Sequence, residues 1–145
     1  MQALRVLIVD DSVTIRAMIE EIVSQDPHGS VVGIASDVVT ARELIETRVP
    51  NLITLDLAMP GIGGLEFLDE LARKAHAPVL VISSSTSGDA EATREALAHG
   101  ADACFDKRML LTDRKALLAL MHRVASRKGA KRALPTGARA DHALR

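Results

Sequence analysis

The sequence of 145 residues contains neither tryptophan nor tyrosine, and two phenylalanines are its only aromatic residues. Base stacking on aromatic side chains is therefore not expected, which makes nucleic acid an improbable main partner. Cys104 is the only cysteine, so no intramolecular disulfide can form and a reducing compartment fits. No apolar run reaches the roughly 18 residues of a membrane span, and the N-terminus lacks the layout of a secretory signal. We expect a cytoplasmic protein with no membrane partner.

Charge is distributed unevenly along the chain. Residues 1–125 contain 12 basic and 18 acidic residues, whereas residues 126–145 contain six basic residues and one acidic residue. The last segment also has Gly and Pro and no hydrophobic periodicity, which is typical of disorder. We predict one domain over residues 1–125 and a disordered basic tail over residues 126–145. The tail is interpreted as a solubilising linker, with nucleic-acid contact or a remnant of a linker to an output domain as alternatives.

Five apolar runs alternate with segments of helical periodicity. The runs cover residues 4–9, 31–35, 51–55, 78–83 and 101–105. The residues predicted to face the core form a stripe along each helix. In the third helix this stripe consists of Leu65, Leu68, Ala72 and Ala75, and in the fourth it consists of Ala90, Thr93 and Leu97. Strands that alternate with single helices predict an α/β fold, with a doubly wound parallel sheet covered by helices on both faces.

Chemically active residues follow four of the five runs: Asp10 and Asp11, Asp56, Ser83 and Ser84, and Lys107. In an open parallel sheet, ligands bind beyond the carboxyl ends of the strands. If the first and third strands are neighbours, three carboxylates converge at one edge of the sheet. Such carboxylates repel one another unless a cation offsets them, and oxygen ligands are those that Mg²⁺ prefers. The pattern therefore predicts a magnesium site.

These residues resemble those of a known family, the receiver domains of two-component response regulators. The resemblance rests on VDDS at 9–12, LDLAMPG at 55–61, GLEFL at 64–68, VLVISSS at 79–85, GAD at 100–102 and Lys107. It covers about residues 4–125, and the motifs are most similar to receivers attached to chemotaxis methylesterases. The resemblance implies a flavodoxin-like sheet of five strands in the order 2-1-3-4-5, with five helices.

The resemblance also implies a metal-dependent phosphoacceptor. Asp56 would be the nucleophile that forms an acyl phosphate. Asp11, Asp56 and the backbone carbonyl of Ala58 would hold Mg²⁺, while Asp10 would act through a bound water.

Three further groups would contact the phosphoryl oxygens. Lys107 would pair with them, the Ser83 hydroxyl would donate a hydrogen bond to one, and the Ser84 backbone N–H would donate to another. Phosphoryl transfer depends mainly on such positioning and charge neutralisation.

The function implied is that of a stand-alone response regulator that is not an enzyme with a substrate of its own. It would accept a phosphoryl group from a histidine kinase or histidine phosphotransfer protein and would signal through an unknown downstream protein or by phosphorelay. One alternative is a degenerate receiver that binds partners without phosphorylation. Another is a hydrolase of the haloacid dehalogenase type, which would need a second Asp where Ala58 stands.

Three positions depart from the family pattern. Arg108 stands where the family has a proline in a cis peptide bond after the lysine. A non-proline cis bond costs about 2.5–4 kcal/mol, so we expect a rebuilt turn after the fifth strand. Cys104 replaces the aromatic residue that acts as a rotamer switch. Gly63 replaces a polar residue and, with Gly61 and Gly64, predicts a mobile loop.

Without the aromatic switch, we expect phosphorylation to be signalled by backbone movement in loops 84–89 and 107–112. Met109 and Leu110 are candidate partner contacts on this surface. The alternative is that both residues simply pack under the fifth helix.

Overall fold

The computed structural model describes residues 3–83 and 90–127. The strands are β1 (Leu4–Val9), β2 (Gly29–Ala35), β3 (Leu52–Leu55), β4 (Val79–Ser83) and β5 (Ala103–Asp106). The helices are α1 (Val13–Ser24), α2 (Val38–Arg48), α3 (Gly64–Leu71), α4 (Ala90–Ala98) and α5 (Arg114–Ala125), and a short 3₁₀ turn covers Lys107–Met109. The five strands are parallel and lie in the order β2-β1-β3-β4-β5. The predicted fold is therefore confirmed.

Each face of the sheet has its own hydrophobic core, because successive side chains of a strand point to opposite faces. On one face, Leu7, Ile53 and Val81 pack in the cluster that includes side chains of α2, α3 and α4. On the other face, Ile8 and Leu80 pack in the cluster that includes side chains of α1 and α5. Coverage on both sides explains why the central strands are apolar almost without interruption. None of the helices in residues 3–83 and 90–127 is long and apolar enough to cross a membrane.

The fifth strand begins two residues later than its sequence pattern indicates. Asp102 lies before the strand and pairs with the backbone of Val79: its N–H donates to the Val79 carbonyl at 2.8 Å, and its carboxylate accepts from the Val79 N–H at 2.8 Å. These two hydrogen bonds satisfy the backbone N–H and the carbonyl of Val79, the first residue of β4. The regular ladder then runs from Ala103 to Asp106.

The inward faces of α3 and α4 differ from the predicted stripes. Among residues 91–98 of α4, whose burial is described, Ala96 is buried, while Leu97 is exposed. In α3, Phe67, Leu68 and Leu71 are buried, whereas Ala75 lies beyond the helix. Packing against the sheet sets the rotation of these short helices, and the small Ala96 side chain lies in the core on α4.

The turn after β5 decides between the two interpretations of Met109 and Leu110. Leu110 is 0% exposed and packs in the core beside α5, so it is not a partner contact. Met109 is exposed, and so is Leu111, which the sequence pattern had not singled out. Because Leu110 packs beside α5, it holds the segment that begins at Lys107 in place.

Helix α5 ends at Ala125, and residues 128–145 lie outside the described part of the chain. The boundary at residue 125 and the disordered tail remain predictions. Arg127 donates a hydrogen bond to the carbonyl of Asp102, the residue before β5, at 3.1 Å, so the chain still makes a long-range contact two residues beyond the end of the helix.

Asp26 joins the end of α1 to α5. Its carboxylate accepts hydrogen bonds from the ring of His122 and from the His28 backbone N–H. The hydrogen bond from His122 is the main reason that the pKa of Asp26 lies below its ordinary value of 3.8. Because the folded-state pKa is the lower one, the ionised carboxylate stabilises the fold above about pH 3.8, and this contribution is lost as the pH falls further.

We therefore expect Asp26→Asn to lower the urea midpoint at neutral pH and to lose this difference from the wild type under strongly acidic conditions. Urea unfolding followed by far-ultraviolet circular dichroism at a series of pH values measures both midpoints, since the chain lacks tryptophan. Asp113→Asn is the control, because Asp113 makes no side-chain capping bond. A difference for Asp26→Asn that is the same at every pH would contradict the linkage.

Candidate functional site

Asp10 is held at the end of β1 by the turn that leads into α1. Its backbone N–H donates to the Ala35 carbonyl at 3.0 Å, and its Oδ1 accepts from the Ser12 backbone N–H at 2.8 Å. Ser12 in turn caps α1 by accepting from the Ile15 N–H. The Asp10 side chain is 2% exposed, while Asp11 beside it is exposed. One member of the acidic pair is thus buried in the pocket and the other faces solvent.

Asp56 reaches the same edge because β1 and β3 are adjacent. Its backbone N–H donates to the Val9 carbonyl at 2.9 Å, which places it level with Asp10. Its residue exposure is 3%. One carboxylate oxygen from each of Asp10, Asp11 and Asp56 lies within 4.8 Å of the others. The predicted convergence of three carboxylates is therefore present in the structure.

Lys107 arrives from β5 and extends into this acidic pocket. Its Nζ lies 3.3 Å from Asp10 Oδ2 and 3.2 Å from Asp56 Oδ1, with 13% of the side chain exposed. Among the described residues no peptide bond is cis, so the bond from Lys107 to Arg108 is trans. The ammonium group reaches both carboxylates although the family's proline is absent.

The electrostatic environment of Asp56 opposes its ionisation. Burial raises the pKa of Asp56, and the nearby Asp10 carboxylate raises it further. The Lys107 ammonium and the Ala58 N–H, which donates to Asp56 Oδ1 at 3.2 Å, act in the opposite direction. Three carboxylates against one ammonium leave an excess of negative charge in the pocket.

The donor set fits a hard divalent cation. All three side chains offer carboxylate oxygens, the ligands that Mg²⁺ prefers, and the exposed Asp11 leaves one side open to the waters that Mg²⁺ retains. A bound dication would also offset the repulsion between Asp10 and Asp56. Ala58 is exposed and follows Asp56 by two residues in the chain; its carbonyl remains a predicted ligand.

Of the two serines predicted to contact the phosphoryl group, one is described. Ser83 ends β4 and pairs in the ladder with Asp106, the residue before Lys107. It therefore lies at the same sheet edge as the carboxylates. Ser84 and the loop 84–89 lie outside the described residues, and the predicted role of the Ser84 N–H stays a prediction.

The backbone geometry of the loop after Asp56 requires glycine at two positions. Gly61 has a φ of +76°, which side chains other than glycine rarely adopt. A Cβ on Gly64 would lie 2.6 Å from the Leu57 Cα and 2.7 Å from the Asp56 carbonyl oxygen. The start of α3 therefore packs directly on the backbone that carries Asp56, and only glycine permits that approach.

Two residues near the site were missed by sequence reasoning. Arg16, in the first turns of α1, donates through Nη1 to the Asp10 carbonyl at 2.8 Å. Asp106 accepts hydrogen bonds from the Arg108 backbone and guanidinium. The signal for Asp106 was available, because an Asp two residues before an N–H in a turn is a frequent local acceptor. The contact of Arg16 depends on the angle between β1 and α1 and has no local signature.

Cys104 lies in β5 at the position of the family's aromatic switch. It is half-buried, and burial raises the pKa of its thiol, while a hydrogen bond with Thr93 on α4 acts in the opposite direction. Cys104 thus places a compact side chain between β5 and α4.

Comparison with known proteins agrees with this geometry. The family model of the response regulator receiver domain matches residues 6–121. A protein-glutamate methylesterase/protein-glutamine glutaminase of Rhizobium etli is 45% identical over 103 residues, which are 71% of this chain and 30% of that protein. A protein of the same name from Xanthomonas campestris is 50% identical over 97 residues, 67% of this chain and 27% of that protein. The chain thus spans about a third or less of the length of these relatives.

Solved structures give the same result. The response regulator domain of Thermotoga maritima CheB superposes with a TM-score of 0.78 at 32% identity, covering 86% of this chain and 97% of that one. The receiver domain of NtrX from Brucella abortus superposes with a TM-score of 0.70 at 29% identity, covering 84% of this chain and 98% of that one. The chain belongs to the response regulator receiver domain family, with chemotaxis methylesterase receivers among its similar relatives.

Proposed function

We propose that this chain is a response-regulator receiver that accepts a phosphoryl group on Asp56 from a histidine kinase or a histidine phosphotransfer protein. The observation that carries the proposal is the position of the Lys107 ammonium, 3.2 Å from Asp56 and 3.3 Å from Asp10. A cation held at this point is adjacent to any phosphoryl group bonded to Asp56.

In the proposed step, a carboxylate oxygen of Asp56 forms a bond to phosphorus while the bond from phosphorus to the donor breaks. With phosphohistidine the leaving group is the imidazole, and with acetyl phosphate it is acetate. Lys107 stabilises negative charge on the transferred group, and the Ser83 hydroxyl donates a hydrogen bond to it. The Ser84 N–H is proposed as a further donor. These groups act by electrostatic stabilisation without covalent change of their own.

The proposed cofactor is Mg²⁺, held by Asp11, Asp56 and the Ala58 carbonyl, with Asp10 acting through water. When bound, it would neutralise charge that develops on the phosphoryl oxygens. The excess negative charge of the pocket and the proximity of the three carboxylates support this assignment.

Phosphorylation would be read by a separate partner protein, or the phosphoryl group would pass on in a phosphorelay. The single cysteine supports a cytoplasmic location. The alternative of a degenerate receiver receives less support, because Lys107 keeps its contacts with both carboxylates in the absence of the proline.

The first prediction concerns the phosphoacceptor. Incubation with acetyl phosphate and Mg²⁺ should add one phosphate, stable to acid and labile to base, which intact-mass spectrometry detects. Asp56→Ala should take up none, because the nucleophile is removed. Asp69→Ala removes an exposed carboxylate on α3 and should behave as the wild type. An adduct that persists in Asp56→Ala would show that another residue is the acceptor.

The second prediction concerns the metal. Mg²⁺ should raise the melting temperature by mass action, since it binds the folded pocket and relieves carboxylate repulsion. Asp11→Ala should abolish this shift because it removes the solvent-facing ligand. Melting in NaCl of equal ionic strength controls for screening. If Asp11→Ala keeps the full shift, the metal binds elsewhere.

The third prediction concerns the signal. With Cys104 in place of an aromatic switch, we expect backbone movement around loops 84–89 and 107–112, with the exposed Met109 and Leu111 presented to a partner. Amide chemical shifts with and without beryllofluoride should change in both loops. Changes restricted to the residues around Asp56 would rule this mechanism out.

A further inference from the structure

The position of the Lys107 ammonium also depends on the backbone on both sides of this residue. Its ammonium sits at the end of a flexible four-carbon stem, yet it lies between two carboxylates. The residue before it is fixed by the parallel ladder, in which Asp106 pairs with Ser83. The direction of the chain after Lys107 must then be set by contacts in the turn.

Asp106 makes those contacts. Its Oδ1 accepts from the Arg108 backbone N–H at 2.8 Å and caps the 3₁₀ turn that starts at Lys107. The Arg108 guanidinium also binds both carboxylate oxygens, at distances between 2.6 and 3.1 Å. The turn closes where the Leu110 N–H donates to the Lys107 carbonyl at 3.1 Å, with Leu110 buried below.

Among these contacts, the hydrogen bond from the Arg108 backbone N–H to Asp106 contributes most to fixing the turn. The Arg108 side chain is 62% exposed, and an ion pair at such a surface position contributes little. A proline at position 108 would have no N–H to offer. The residue that departs from the family pattern therefore supplies the donor that Asp106 binds.

We propose that Asp106 is a positioning residue for Lys107: by binding the Arg108 N–H it fixes the turn after β5 and holds the ammonium between Asp10 and Asp56. The inference rests on the proposed function in so far as Lys107 assists phosphoryl transfer. Where the family uses proline to set this turn, the present chain uses a side-chain cap.

The first readout is the rate of phosphorylation by acetyl phosphate with saturating Mg²⁺. Asp106→Ala removes the acceptor and should slow the reaction about tenfold, the factor that corresponds to roughly one lost hydrogen bond. Asp106→Asn keeps an acceptor oxygen and should stay within about twofold of the wild type. In a Lys107→Ala background, Asp106→Ala should cause no further slowing, because residues that act through one another are not additive.

The second readout follows Lys107 without any phosphoryl donor. Its ammonium is shielded in the wild type, with 13% of the side chain exposed. In Asp106→Ala an amine-reactive ester should acylate it about fivefold faster or more, relative to the exposed Lys115 in the same digest. Asp113→Ala, which removes another acid from this loop, should leave both readouts at their wild-type values.

The proposal is overturned if either readout of Asp106→Ala stays at its wild-type value, or if the slowing persists in the Lys107→Ala background. Should Asp106→Ala fail to fold by circular dichroism, Asp106→Val replaces it, because a β-branched residue suits a strand and lacks the acceptor. If the wild type takes up no phosphate, the proposed function has failed, and the acylation readout alone decides whether Asp106 positions Lys107.

Discussion

The structure depends on one electrostatic constraint, the concentration of carboxylates at the carboxyl edge of the sheet. Asp10 and Asp56 are almost entirely buried next to each other, an arrangement that raises the free energy of the charged forms. Lys107 offsets part of this repulsion, and a divalent cation would offset the remainder. Lys107 alone therefore neutralises the pocket only in part, and this is the physical reason that a cation would be bound there.

The elements around the pocket hold these charges by backbone contacts. The β1–α1 turn is fixed by Ser12 and Arg16, the start of α3 packs on the backbone of Asp56 through Gly64, and Asp106 closes the turn after Lys107. Each contact acts on main-chain atoms beside a charged residue. In the described structure these contacts therefore fix where the main chain presents the charged side chains of the pocket.

Similarity to the methylesterase relatives is confined to the receiver part, since the match covers about 30% of the Rhizobium etli protein. The solved receiver of Thermotoga maritima CheB covers most of the chain with the same fold. The shared part is therefore the receiver domain. The exposed Met109 and Leu111 are the surface residues that we propose for contact with a partner protein.

The sequence by itself determined the fold class and the acidic site, because hydrophobic periodicity and strand ends are local properties. Apolar runs with Asp10, Asp11, Asp56 and Lys107 at their ends predicted the site on the condition that the first and third strands are neighbours, since parallel strands bring their carboxyl ends to one edge. Only the tertiary structure decided that Ala96 faces the core on α4, because the rotation of a short helix depends on what it packs against. It also decided that Asp106 binds the Arg108 N–H beside the ammonium of Lys107, because that contact depends on how the turn folds back after β5.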